Sequence, residues 1–284
     1  MSGVTDRESD EAVWSRQPTL NVLTAMTFVA LVFVQYRWWH DHGRPFSWWL
    51  LPATPLLAFL PAGIIVKSLR KRWAEGWARG NGFEYRRTSE WPVPTWDFPP
   101  FNIGRARRFR VRDTMRGTVG DYPASFFHLT WLHNNRINVS THCRNVFVVE
   151  LPAALPRLTM GATVDITTGG RVEFESADFN RRFFVYSKNP AFAHAVLTPR
   201  TIDTLLELAR AHGGAVTVTK FEIVGNLLVA VTTLGNRPHE ITGVYEVMRA
   251  LADGIPRFVW TDHGTPATHS YPALSGSHSE GTIA

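Results

Sequence analysis

The sequence predicts two N-terminal transmembrane helices followed by an α+β domain, a mainly antiparallel sheet with helices packed on one face. Three observations predict it. Two long uncharged stretches come first, short β-rich runs follow one another through the middle, and capped amphipathic segments come in after them. Helices that follow runs of strands favour an antiparallel sheet with its helices segregated to one side.

The first uncharged stretch, Leu20 to Tyr36, reads LNVLTAMTFVALVFVQY, and its clearly polar residues are Asn21, Thr24, Thr27 and Gln35. As a helix it is about 25 Å long, slightly under the bilayer core of about 30 Å. Trp38 and Trp39 fall where an interfacial belt would lie. The second stretch, Phe46 to Val66, is long enough to span and opens with Trp48 and Trp49. Pro52, Pro55 and Pro61 lie within it, and membrane helices tolerate proline where neighbours satisfy the freed carbonyls. A buried hairpin in a soluble domain is the competing reading, and two such runs with tryptophans at their ends argue against it. A cleaved signal peptide fits poorly. Asp6, Glu8, Asp10 and Glu11 precede the stretch in place of a basic segment, and QYRWWH offers no small-residue cleavage site.

Charge sets the expected orientation. The connection RWWHDHGRP holds Arg37, Arg44 and Asp41, whereas Lys67, Arg70, Lys71, Arg72 and Arg79 follow the second stretch against Glu75. A Lys and Arg excess marks the cytoplasmic side. The sequence therefore predicts a multi-pass protein of the cell (inner) membrane with both termini cytoplasmic. The expected divisions are a disordered N-terminus (1–19), a transmembrane hairpin (20–66), a basic juxtamembrane segment (67–79), a cytoplasmic α+β domain (80–260) and a disordered tail (261–284).

Within the domain, RRFRVRD places Arg108, Arg110 and Arg112 on one side of a strand and Phe109 and Val111 on the other. PASFFHLTWL, NVFVVEL, RVEFES and RRFFVYS read as further strands. AVTVTKFEIVGNLLVAVTTL reads as a hairpin turning at Gly225-Asn226. Thr198 and Pro199 open a helix whose Ile202, Leu205, Leu206 and Ala209 form an apolar stripe, and Gly213 and Gly214 stop it. Asn189 and Pro190 open another, and a last helix is expected from about His239 to Asp253.

The net charge of +6 points to an acidic partner. Arginine outnumbers lysine and the basic residues crowd into Lys67 to Arg116, which disfavours nucleic acid as that partner. The single cysteine, Cys143, excludes an intrachain disulfide.

The chain lacks the phosphate-loop, dinucleotide-loop, H-E-x-x-H, C-x-x-C and G-x-S-x-G patterns. His128, His133, His142 and Cys143 are metal-ligand types without a common zinc spacing. Asp178 reads as a turn residue, with pairing to Arg181 or Arg182 as the alternative, and Glu173 and Glu175 read as a solvated strand face. No catalytic, cofactor-binding or metal-binding residue is therefore assigned. The residues placed at an anionic lipid headgroup or acidic partner are Lys67, Arg70, Lys71, Arg72, Arg108, Arg110 and Arg112. The competing reading of the strand arginines is a solvated face that discourages edge pairing.

The segments RWAEGWARGNGFEY, LPAALPRL and DFNRRFFVYSKNPAFAHAVLTP together resemble a group of uncharacterised bacterial membrane proteins of the actinobacterial type. That resemblance implies an N-terminal transmembrane hairpin and a cytoplasmic domain of unknown function, and no catalytic residue carries over from it. The expected role is a non-catalytic interaction or scaffold module with the lipid bilayer and an unknown protein as partners. The alternatives are a membrane-tethered enzyme acting on a lipid-linked or cytoplasmic substrate and a transport subunit. The absence of charged or histidine side chains from both stretches argues against transport.

Overall fold

The computed structural model describes residues 74–88, 106–135, 138–162, 168–233 and 237–267, with isolated positions before residue 74 and between residues 96 and 101. The chain divides into two compact units, Met1–Trp73 and Ala74–Ala284.

In the first unit, residues 26, 29, 30, 32–34, 36, 37 and 40 are helical. Met26, Val29, Ala30 and Phe33 recur at helical spacing and line one concave apolar surface. The stretch Phe46 to Val66 lies outside the described residues. No helix among the described residues is long and apolar enough to cross a membrane.

The second unit is α+β. Strands β1 (Glu84–Thr88), β2 (Ala106–Val119), β3 (Tyr122–Asn135) and β4 (Asn138–Gly161) pair in succession, each antiparallel to the last. Strand β6 (Phe184–Ser187) pairs beside the far end of β4 and carries β5 (Gly170–Val172) outside it, and β7 (Thr219–Thr232) runs along the other side of β4. The helices are α1 (residues 74–80), α2 (Ala177–Arg182), α3 (Pro190–Val196), α4 (Pro199–His212), α5 (Gly214–Thr217), α6 (Pro238–Gly254) and α7 (Arg257–Asp262).

Strand periodicity sorts the core into two layers. Phe126 and Phe147 face the layer that holds Leu205, Leu206, Tyr245 and Met248 from α4 and α6. Phe127, Val146 and Val148 face the opposite layer, where Trp96, Phe98 and Phe101 pack against them. The helices therefore cover one face as expected, and aromatic residues from the β1–β2 connection cover part of the other. Trp77 of α1 stacks on Tyr245 at 5.7 Å, and its Nε1 donates to Thr242 Oγ1 at 2.9 Å.

The caps behave as the sequence predicts. Thr198 Oγ1 and Asn189 Oδ1 accept from the backbone N–H groups of Thr201 and Phe192, and Ile202, Leu205, Leu206 and Ala209 are all buried.

Four expectations need correction. The AVTVTKFEIVGNLLVAVTTL segment is no hairpin. Gly225 has φ 59° and sits opposite Leu155 in the middle of β7, where the register shifts. The long β4 partners β7 on both sides of the glycine, from Phe221 to Thr232, so the glycine serves a bulge. Residues 177–182 are helical because Ser176 Oγ caps the N–H of Phe179, so Asp178 lies in a first turn and pairs with Arg181. Glu173 and Glu175 lie beyond the end of β5, and Glu173 pairs with Arg171 at 3.6 Å. The tail is ordered further than its polar composition suggests, since Ala154 and Thr265 exchange two backbone hydrogen bonds of 2.9 Å.

Inserting two residues between Gly225 and Asn226 should abolish cooperative thermal unfolding of the domain. The same insertion between Gly120 and Asp121, at the β2–β3 hairpin tip, should be absorbed. Circular dichroism melts of the full chain in neutral detergent check this.

Candidate functional site

The strand arginines sit on a segment with unusual backbone. Arg108 (φ 56°) and Asp113 (φ 50°) are the non-glycine residues with positive φ among the described residues, and both lie at register shifts in β2. Left-handed backbone costs an L-residue about 1–2 kcal/mol, so each position must be held by its surroundings. At Asp113 the hold is visible. Tyr85 on β1 donates its hydroxyl to Asp113 Oδ1 at 2.6 Å, and Thr114 Oγ1 donates to the Arg86 carbonyl at 3.2 Å. The bulge also reverses the facing of β2. Val111 belongs to the aromatic layer, whereas Met115 belongs to the helix-covered layer.

Between the bulges, Phe109 and Val111 turn toward Trp131 and Leu129, and Arg108, Arg110 and Arg112 are exposed. No carboxylate pairs with any of these three guanidinium groups among the described residues. Cross-strand register places Arg112, His128, Asn145 and Thr232 side by side across β2, β3, β4 and β7. A parallel row holds Arg110, Thr130 and Cys143. The rows are about 7 Å apart, two residues along each strand. They continue the fully buried row Met115, Phe126, Phe147 and Ala230, so one sheet face passes from core to polar ledge to charged surface.

Asn145 is buried, and its Oδ1 lies 2.8 Å from His128 Nδ1. An amide oxygen only accepts, so Nδ1 carries the proton in this pair and the ring orientation is fixed. Cys143 shares this face, whereas His142 lies on the other face and stacks on Trp131 at 5.5 Å. His128 and His142 therefore do not converge. The side chain of His133, and Lys67, Arg70 and Lys71, lie outside the described residues, and Arg72 is helical and exposed in the first unit. The structure thus brings Arg110 and Arg112 together with His128, Thr130 and Asn145. Sequence reading missed that grouping, although a histidine and an asparagine interrupting the alternation of SFFHLTWL and HCRNVFVV marked it.

A second polar group lies under the opposite face. Glu222, 2% exposed, accepts from Arg157 Nε at 2.6 Å and faces Lys220 Nζ at 3.1 Å. Its charge is spent within the fold, as a buried carboxylate requires.

Fold and ledge together define an α+β sheet domain that carries a basic surface at one end of a helix-covered face. A family model described as "Protein of unknown function (DUF3137)" matches residues 133–239. The match spans β4 to β7 and includes Cys143 and Asn145, and the β2 arginines fall before it. No curated protein matches the chain. Among solved structures, the crystal structure of the mycobacterial trehalose monomycolate transport factor A, TtfA, is similar over 64% of this chain and 95% of that chain, with 11% identity and a TM-score of 0.41.

Burial, and then the carboxylate of Asp113, push the Tyr85 hydroxyl well above the ordinary phenol range. A value raised on folding contributes stability that is fully present below the unfolded value of about 10 and is lost as pH rises through the folded one. Tyr85→Phe should cost about 1–2 kcal/mol by removing a hydrogen bond to a carboxylate. It should also flatten part of the decline in stability above pH 10. Denaturant titrations at neutral and alkaline pH read both effects.

Proposed function

We propose that this chain is a membrane-anchored, non-catalytic interaction module that presents its α+β unit at the cytoplasmic face of the cell membrane. One observation carries the reading. Met26, Val29, Phe33, Val34 and Tyr36, on the helical positions of the first uncharged stretch, are each 52–65% exposed. A helix that turns this much large apolar surface outward is stable where its solvent is hydrocarbon. Among the described residues of the second unit, the exposed large hydrophobic residues are Val218 and Phe258.

The basic block Lys67, Arg70, Lys71 and Arg72 supports the same reading, because it follows the second uncharged stretch where anionic headgroups would meet it. Arg108, Arg110 and Arg112 supply a second set of cations, on a folded surface. Each cation near an anionic leaflet contributes about 1 kcal/mol. In this role the ledge contacts acidic lipid or an acidic protein, and the sheet holds its charges in register.

Reporter fusions test the anchor. A fusion at residue 42 is expected outside the cell membrane and one after residue 80 inside it. A signal from outside at the later position overturns the proposal.

A further inference from the structure

We propose that Arg110, Arg112 and His128 form a binding site for an anionic lipid headgroup, its phosphate on the two guanidinium groups and a headgroup hydroxyl on the imidazole, shaped by the two bulges of β2. The inference rests on the membrane-anchored reading and gives its basic ledge a ligand. Three observations carry it.

The first is strain. Left-handed non-glycine residues persist where the surrounding structure enforces them, and they cluster at sites that position ligands. Here they bracket the segment Phe109–Arg112, and bulges of this kind re-aim the side chains between them. An ordinary solvated strand face needs neither.

The second is the arrangement of donors. Arg112 stands beside His128, and Arg110 stands beside Thr130, in adjacent rows of one face. The two guanidinium forks are the donors that a phosphate with several acceptor oxygens takes up, and Thr130 Oγ1, which donates to the Arg110 carbonyl at 3.4 Å, ties β3 to β2 at this point. No carboxylate pairs with either arginine among the described residues.

The third is the way His128 is held. The buried Asn145 carboxamide accepts from Nδ1, so the ring is fixed in place and the second nitrogen, Nε2, is an acceptor left for a hydroxyl of the headgroup. The groups facing the ring are Arg112 on β2, Thr130 on its own strand, and Asn145 and Cys143 on β4. Among the described residues none of these is anionic, so an oxyanion on Arg112 meets no like charge beside the ring. Tyr85 is a positioning residue, which acts through the Asp113 bulge and donates to no ligand.

The test uses the full chain in neutral detergent, with native mass spectrometry reading bound phosphatidylglycerol against phosphatidylcholine. Lys67, Arg70, Lys71 and Arg72 are present in every variant, so the site is read as a difference. Arg110→Gln and Arg112→Gln should each weaken phosphatidylglycerol retention about fivefold, and the double substitution about 25-fold, with the melting temperature unchanged. His128→Gln should weaken retention less, and Tyr85→Phe should weaken it without removing a donor. Phosphatidylcholine retention should be the same in all variants. Equal phosphatidylglycerol retention by wild type and the double variant overturns the proposal. So does thermal stabilisation by inorganic phosphate with none by phosphatidylglycerol, which makes the site one for a free anion. Displacement of the lipid by a single-stranded oligonucleotide at equal phosphate concentration overturns it in favour of nucleic acid. These outcomes do not depend on which side of the membrane the domain occupies, so they are separable from the fusion experiment.

Discussion

Strand β4 is the constraint on which the rest of the domain depends. It runs from Asn138 to Gly161, and Asn145–Val149 are hydrogen-bonded to β3 on one side and β7 on the other. Further along, Leu158–Met160 are held between β6 and β7. One strand therefore carries two half-sheets, which meet where the register shifts between Glu150 and Leu158. Pro152 and Pro156 lie in this stretch, and proline removes a ladder donor, so this is where a long strand can bend. Phe147 packs edge-on against Tyr245 at 5.2 Å and against Phe126 at 4.9 Å, and so ties the central strand to α6 and to β3.

The ledge follows from this arrangement. The rows of side chains that cross β2, β3, β4 and β7 are aligned because each strand is locked to the next. Where helices cover the face the rows are phenylalanine and alanine, and further out they become polar and then cationic. Exposure at Arg112 and burial at Asn145 and Thr232 thus belong to one cross-strand row. The polar middle of the row is satisfied by the His128–Asn145 pair, which keeps a buried amide from standing unpaired at the margin of the core.

Much of the fold was legible in the sequence because helix ends and strand alternation are local signals. Thr198-Pro199, Asn189-Pro190 and the stripe Ile202, Leu205, Leu206 and Ala209 needed no tertiary information. The same locality explains the failures. Gly225-Asn226 is a good turn, and only the length of β4, some 70 residues earlier in the chain, makes it a bulge instead. The alternation Arg108, Arg110 and Arg112 against Phe109 and Val111 was readable, but the left-handed residues that end it at both sides have no compositional mark. His128 and Asn145 are 17 residues apart, and their pairing exists only once the β3–β4 register is set. What the sequence hid were relations between strands, not properties of any one strand.

The bridge between Ala154 and Thr265 joins positions 111 residues apart in the chain. Thr265 lies beyond every strand and every described helix, so its half of the bridge leaves the ribosome after all of them. Ala154 sits in the stretch where the register of β4 shifts, and its backbone N–H and C=O have their partner only once Thr265 is made. Until residue 265 is free of the exit tunnel the central strand carries an open edge at its weakest point. A chain made from the N-terminus would thus have β1 to β7 available well before the central sheet is sealed. The closing step is the capture of the C-terminal segment.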